Sequence, residues 1–298
     1  MSFARYLSKP FVEALNERYR DQGSWWHKVV EDPAAFIAVR RNCLNVYVNG
    51  GSLLKITHSP QEGLICSIHE EYLVLRSERA YVRLAADETP QVAMVSGTEG
   101  LVRHYRAIKR RIARFGHAER MGENLIACTL PEILDMEAAF SWSKGGGRRS
   151  RVGRVDLVAV SRSGRLVLIE AKLFTNPDLR NAERPIVIGQ LHDYHKWQRA
   201  DQLDIIAAYD NVVKLYRQLE GRFFAERVSH VPDPPNLTLY DRPRLLVFGF
   251  DRKQQRNELP AVLTPVLEAM NDVGMTPQDL VTVGSPGNLT ARKLLAGV

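Results

Sequence analysis

Two runs in the middle of the chain set the folding problem: Val155 to Val160 and Arg165 to Ala171 are almost continuous Val, Leu, Ile and Ala, separated by Arg162-Ser163-Gly164. Short apolar runs bounded by a turn signal form β-strands buried on both faces. Such strands need layers of secondary structure on either side, which points to a layered α/β architecture. Asp156 and Glu170 interrupt these runs, and Lys172 directly follows the second. Glu170 and Lys172 are two residues apart, so they leave the same face of a strand. Asp156 shares its face with Val158 and Val160. With Arg162-Ser163-Gly164 as a three-residue hairpin loop and Gly164 left-handed, Asp156 lies directly opposite Glu170.

Two carboxylates side by side in an apolar layer repel each other and lose hydration, so something must compensate. A salt bridge from Lys172 is one answer. A divalent cation is the other, and carboxylate oxygens suit Mg²⁺ or Mn²⁺. A cation there could clamp a phosphate and acidify a water, while Lys172 either orients or deprotonates that water or stabilises a pentavalent phosphate.

Three further features bear on the same chemistry. Thr129-Leu-Pro-Glu132 fits a capping box, predicting a helix to about Phe140 on which Ile133, Glu137 and Phe140 share a face. Glu137 is then either a carboxylate on the apolar stripe or the stripe's exposed edge. Gln190 and Tyr194 sit one turn apart at the start of the next helix, where Gln190 could bond a metal-bound water, a phosphate or a carboxylate. The Gly-rich loop Ser143 to Arg151 carries three arginines, which contact phosphate or face solvent.

The rest of the chain reads as follows. Residues 1 to about 30 are helical. Asn49-Gly50-Gly51 centres a hairpin over Asn45 to Ile56, and Leu64 to Ile68, Tyr72 to Leu75 and Tyr81 to Leu84 are candidate strands. Residues 101 to 116 form a helix with Leu101, Tyr105, Ile108, Ile112 and Phe115 on one face and basic residues elsewhere. Residues 188 to 220 are helical, Leu245 to Phe250 is a buried strand, Leu259 to Val273 is a helix and Leu280 to Val283 is an edge strand. The domains expected are 1–120, a smaller α+β unit for recognition or interaction, and 121–298, which holds the charged strands. Three widely spaced cysteines, Cys43, Cys66 and Cys128, are read as reduced core thiols. No apolar run approaches the ~20 residues of a membrane span, and the first residues lack the apolar stretch and small-residue cleavage site expected of a leader peptide, so a cytoplasmic setting is expected. A net charge of +7 suits a nucleic-acid partner.

As an ordered set, Glu137, Asp156, Glu170-Ala171-Lys172 and Gln190-xxx-Tyr194 resemble the PD-(D/E)xK nuclease superfamily, including its RecB-like branch with a QxxxY element. The resemblance spans about residues 125 to 250. Val155 stands where the name-giving proline would be. The resemblance implies a restriction-endonuclease-like αβββαβ core and a DNA substrate. It also implies Mg²⁺ or Mn²⁺ held by Asp156, Glu170 and Glu137, a catalytic Lys172, and supporting roles for Gln190 and Tyr194. Restriction, phage defence or repair are the settings expected, and cutting both strands would favour a homodimer or partner proteins. The competing expectations are a nucleic-acid-binding module that no longer cuts and a subunit of a larger defence or repair complex.

Overall fold

Turn residues set the register of the first sheet. In the computed structural model, which describes residues 3–69, 81–84, 97–143, 149–180 and 185–298, helices α1 (Lys9–Arg20) and α2 (Trp25–Val30) precede five strands. These are β1 (Ala35–Arg40), β2 (Cys43–Val48), β3 (Gly51–Ser59), β4 (Gly63–His69) and β5 (Tyr81–Leu84), paired in sequence order and antiparallel throughout. The β2–β3 turn is Asn49-Gly50, with φ of 52° and 78°, the left-handed pair that a two-residue hairpin loop requires. A Cβ on Gly50 would also lie 2.6 Å from the Arg120 backbone carbon.

Helices α3 (Gly97–Phe115) and α4 (Ala118–Thr129) follow. The Asn49 amide donates to the Lys109 carbonyl, and the Gly50 N–H donates to Asn124 Oδ1, both at 3.0 Å, which ties the hairpin tip to both helices. On α3, Tyr105, Ile108 and Ile112 are buried and Arg106, Arg110 and Arg114 are exposed. The side chains of Leu101, Arg103 and Phe115, and the strand expected at Tyr72 to Leu75, lie outside the described residues. Cys43 and Cys66 are buried free thiols, and Cys128 is partly buried.

The second sheet contains β6 (Ile133–Ser143), β7 (Arg149–Val160) and β8 (Arg165–Leu173) as an antiparallel meander. Helices α5 (Ile186–Ala200), α6 (Gln202–Gln218) and α7 (Arg222–Val228) come next, then β9 (Thr238–Leu239), β10 (Arg244–Phe248), α8 (Arg252–Asn257), α9 (Leu259–Asp272), β11 (Leu280–Val283) and α10 (Ala291–Leu294). The strand order is β11-β10-β8-β7-β6, with β9 beside β8. β10 runs parallel to both β8 and β11. Every residue from Leu166 to Ala171 is at most 1% exposed, as a doubly covered strand demands.

Mixed α/β architecture follows, with ten α-helices and two sheets among the described residues. Two compact units divide the chain: Ala4–Asn124 with Asn211–His230, and Met1–Phe3 with Leu125–Asp210 and Val231–Val298. Residues 211–230, expected to belong with the later domain, fall in the first unit because their aromatic residues complete its core. There the Tyr216 hydroxyl donates to the Ile37 carbonyl at 2.8 Å, and Phe223 meets Phe36 edge-on. No helix among the described residues is long and apolar enough to cross a membrane.

Two expectations are corrected. The segment carrying Glu137 is strand β6, not a helix. α4 ends at Thr129, whose hydroxyl donates to the Leu125 carbonyl at 2.7 Å rather than capping a new helix. Pro131 disfavours helix in the residue before it, and the buried Ile133, Asp135 and Met136 pair with β7 instead. Tertiary pairing overrides a segment whose residue types favour helix. The Gly-rich loop is also shorter than read. β6 reaches Ser143, which pairs with Arg149 of β7, and residues 144–148 lie outside the described residues.

Candidate active site

The β7–β8 loop takes the three-residue form. Val160 pairs with Leu166, the Ser161 N–H donates to the Arg165 carbonyl at 2.8 Å, and Gly164 has φ of 80°. Leu157 faces Ile169, and the same register brings Asp156 opposite Glu170. The Ala171 N–H donates to Asp156 Oδ2 at 2.9 Å across that pair. On the other side, Met136 faces Leu157 and Ala138 faces Val155, so Glu137 stands opposite Asp156. Glu137, Asp156 and Glu170 therefore form a row across three adjacent strands. Arg154 and Lys172 flank it, each two residues along its strand.

The row lies beneath a helix. β10 pairs Leu245 with Glu170 and Val247 with Lys172, and those two apolar residues pack with Val187, Ile188 and Leu191 of α5. Glu170 and Lys172 leave β8 on that covered face and are 1% and 6% exposed. Carboxylate and ammonium this deep must be paired. The Lys172 ammonium is ion-paired with Glu170 Oε1. The Tyr194 hydroxyl lies within hydrogen-bond reach of Glu170 Oε2 and of the Arg154 carbonyl oxygen. Packing fixes Tyr194: Phe140 meets its ring edge-on at 5.9 Å and stacks flat on Trp197 at 4.0 Å. Gly153 opposes Phe140, and a Cβ there would overlap the ring. Trp197 is a core residue, 1% exposed.

Glu137 is held differently from the other two acids. Its Oε2 lies 2.5 Å from the Arg154 guanidinium, and its φ is 55°, within a paired strand. Arg154 is the participant that sequence reasoning missed. Its only signal was its place two residues before Asp156, on the same face of a strand. Gln190 lies one helical turn before Tyr194, and its buried Oε1 meets no hydrogen-bond partner among the described residues. Arg180 folds back on its own loop, donating to the Phe174 carbonyl at 3.0 Å and lying over the Phe174 ring.

Among the described residues no three His, Cys, Asp or Glu side chains converge to hold a metal ion. Glu137 thus shares the row with the other acids but is not gathered with them to one point. The pair Asp156 and Glu170 still fits a hard divalent cation. Their donors are carboxylate oxygens, and Mg²⁺ takes only one or two of these, with water and phosphate completing its shell. Glu170 Oε1 is buried, and its partner among the described residues is the Lys172 ammonium. Compared with known protein families, with characterised proteins and with solved structures, the chain matches none.

Proposed function

We propose that the protein is a metal-dependent nuclease that hydrolyses DNA phosphodiester bonds, on a restriction-endonuclease-like core of the PD-(D/E)xK type. The observation that carries the reading is the buried Glu170–Lys172 pair, with Asp156 facing it across β7 and β8 and Tyr194 reaching it from α5. Further support comes from the order α4, β6, β7, β8, α5, β10, the αβββαβ sequence of such a core, with α6, α7 and β9 inserted between α5 and β10. The net charge of +7 suits a polyanionic substrate.

Asp156 and Glu170 would hold Mg²⁺ or Mn²⁺, which when bound supplies charge neutralisation at the phosphate and a more acidic water. Lys172 places a positive charge beside the same carboxylate. As the ammonium it offsets charge on the phosphate; as a general base it would first have to lose a proton, and the neutral amine would then take one from the attacking water. Tyr194 fixes the orientation of Glu170. Arg154, half exposed beside the row, contacts phosphate oxygens of the bound strand. Restriction, phage defence and repair are the settings this activity fits.

The test is incubation of supercoiled plasmid and linear DNA with Mg²⁺, Mn²⁺ or EDTA. Cutting with either metal and none with EDTA is expected, and the product ends sort endonuclease from exonuclease. No cutting by folded protein of any DNA form would overturn the reading. One observation favours a second reading, a nucleic-acid-binding module or complex subunit that does not cut: Lys172 and Arg154 both already have carboxylate partners. DNA binding without cleavage in the same assay would select it.

A further inference from the structure

Helix α3 belongs to the unit that does not hold the acid row. From Gly100 to Ala118 the chain carries Arg103, Arg106, Lys109, Arg110, Arg111 and Arg114 and no acidic residue. A helix face that only meets water ordinarily mixes signs, because like charges one turn apart disfavour the helix and opposite charges support it.

The fold fixes where these charges point. α3 packs on α2, β2 and β3. Tyr105, Ile108 and Ile112 are buried there, and the Tyr105 hydroxyl donates to Asp32 Oδ2 at 2.8 Å. Lys109 is paired with the same carboxylate. With 3.6 residues per turn, Arg106, Arg110 and Arg114 lie about 170° round the helix from that buried face. All three are exposed, and none has an ion-pair partner among the described residues.

Successive members of this row are about 6 Å apart along the axis, so the three cover about 12 Å. Over that length a DNA duplex presents about seven phosphate charges. Guanidinium groups bond phosphate oxygens in pairs of parallel hydrogen bonds, and such contacts hold a duplex without reading its bases. Among the described residues of α3 the aromatic side chain, Tyr105, is buried against Asp32, so the arginine face presents no ring on which an unstacked base could lie. Single strands are gripped by such rings, and a row of cations without them suits the backbone of a duplex.

We propose that the face of α3 carrying Arg106, Arg110 and Arg114 binds the phosphate backbone of double-stranded DNA, whatever its sequence. The choice of DNA over RNA rests on the nuclease reading; the choice of a duplex polyanion does not.

The experiment is fluorescence anisotropy of a labelled DNA duplex with the full chain in EDTA, between about 50 and about 200 mM salt, so that binding is read without cleavage. Wild type is compared with the triple variant Arg106→Gln, Arg110→Gln, Arg114→Gln and with Arg110→Gln alone, each checked for fold by circular dichroism. Wild-type affinity is expected to fall steeply with salt. The triple variant should bind at least about tenfold more weakly at the lowest salt, with the slope of log affinity against log salt shallower by about 2.7. Arg110→Gln alone should lower that slope by about 0.9. The same strand unpaired, an RNA duplex and phosphatidylserine vesicles are the competing probes. No binding of the DNA duplex by wild type, or variants with wild-type affinity and slope, would overturn the proposal. So would arginine-dependent binding of any competing probe in preference to the DNA duplex. Arginine-dependent duplex binding by a protein that cuts nothing would keep this proposal and remove the nuclease reading. Metal-dependent cutting by a protein whose duplex binding ignores these substitutions would do the reverse.

Discussion

Glu137 adopts φ of 55° between two residues that are each paired with β7. Among the described residues the other non-glycines with positive φ are Asn42 and Asn49, of a type that tolerates the left-handed region. For a glutamate the same conformation costs about 1 kcal/mol. The ion pair to Arg154 is partly exposed and returns at most about 1 kcal/mol. Such strain gathers at sites where geometry serves function, and here it sets Glu137 beside the acid row. The consequence is an inverted substitution order. Glu137→Gly and Glu137→Ala both lose the ion pair, but only glycine relieves the backbone. Chemical unfolding should therefore find the glycine variant more stable than the alanine variant by about 1 kcal/mol. An alanine variant of equal or greater stability would remove the strain account.

At the scale of elements, α3 is anchored through one carboxylate. Lys109 lies 2.5 Å from Asp32 Oδ2, the Tyr105 hydroxyl donates to the same oxygen at 2.8 Å, and the Ala34 N–H donates to Oδ1 at 3.0 Å. Burial pushes the Asp32 carboxyl up, but the bonds from Lys109, Ala34 and Tyr105 outweigh it and hold the group below its ordinary value. Because the folded value is the lower one, this stabilisation is present above the unfolded pKa of about 3.9 and is lost as pH falls through the folded value. Urea unfolding should show Asp32→Asn less stable than wild type by about 2 kcal/mol near neutral pH, the gap closing below about pH 4. A gap that stays constant into acid would contradict the assignment.

What the sequence made legible follows from which forces are local. The β7–β8 hairpin could be read because Gly164, the three-residue loop and the period of two are local rules, and together they place Asp156 opposite Glu170. The Asn49-Gly50 turn was legible for the same reason. Strand β6 was not. Its residues Ile-Leu-Asp-Met-Glu-Ala-Ala-Phe favour helix, and only pairing with β7, a contact absent from local sequence, makes it a strand. Arg154 was illegible as well, since an arginine beside a strand carboxylate is unremarkable until Glu137 is brought across from β6.

On the scale of the whole molecule, the residues proposed for chemistry all lie in the unit containing Leu125–Asp210. The exposed arginines of α3 belong to the other unit. We propose a recognition or interaction role for that unit. The central claim is that phosphodiester cleavage occurs at Asp156, Glu170 and Lys172. Its most direct measurement is single-turnover cleavage of a labelled DNA duplex in Mn²⁺ by wild type and Lys172→Ala. Removing the lysine leaves the buried Glu170 carboxylate without its ion pair, so the comparison is made at a temperature where circular dichroism shows both proteins folded. The predicted result is metal-dependent cutting by wild type and a rate at least about 10²-fold lower in the variant. A folded Lys172→Ala that cuts as fast as wild type would contradict the assignment of the chemistry to this site.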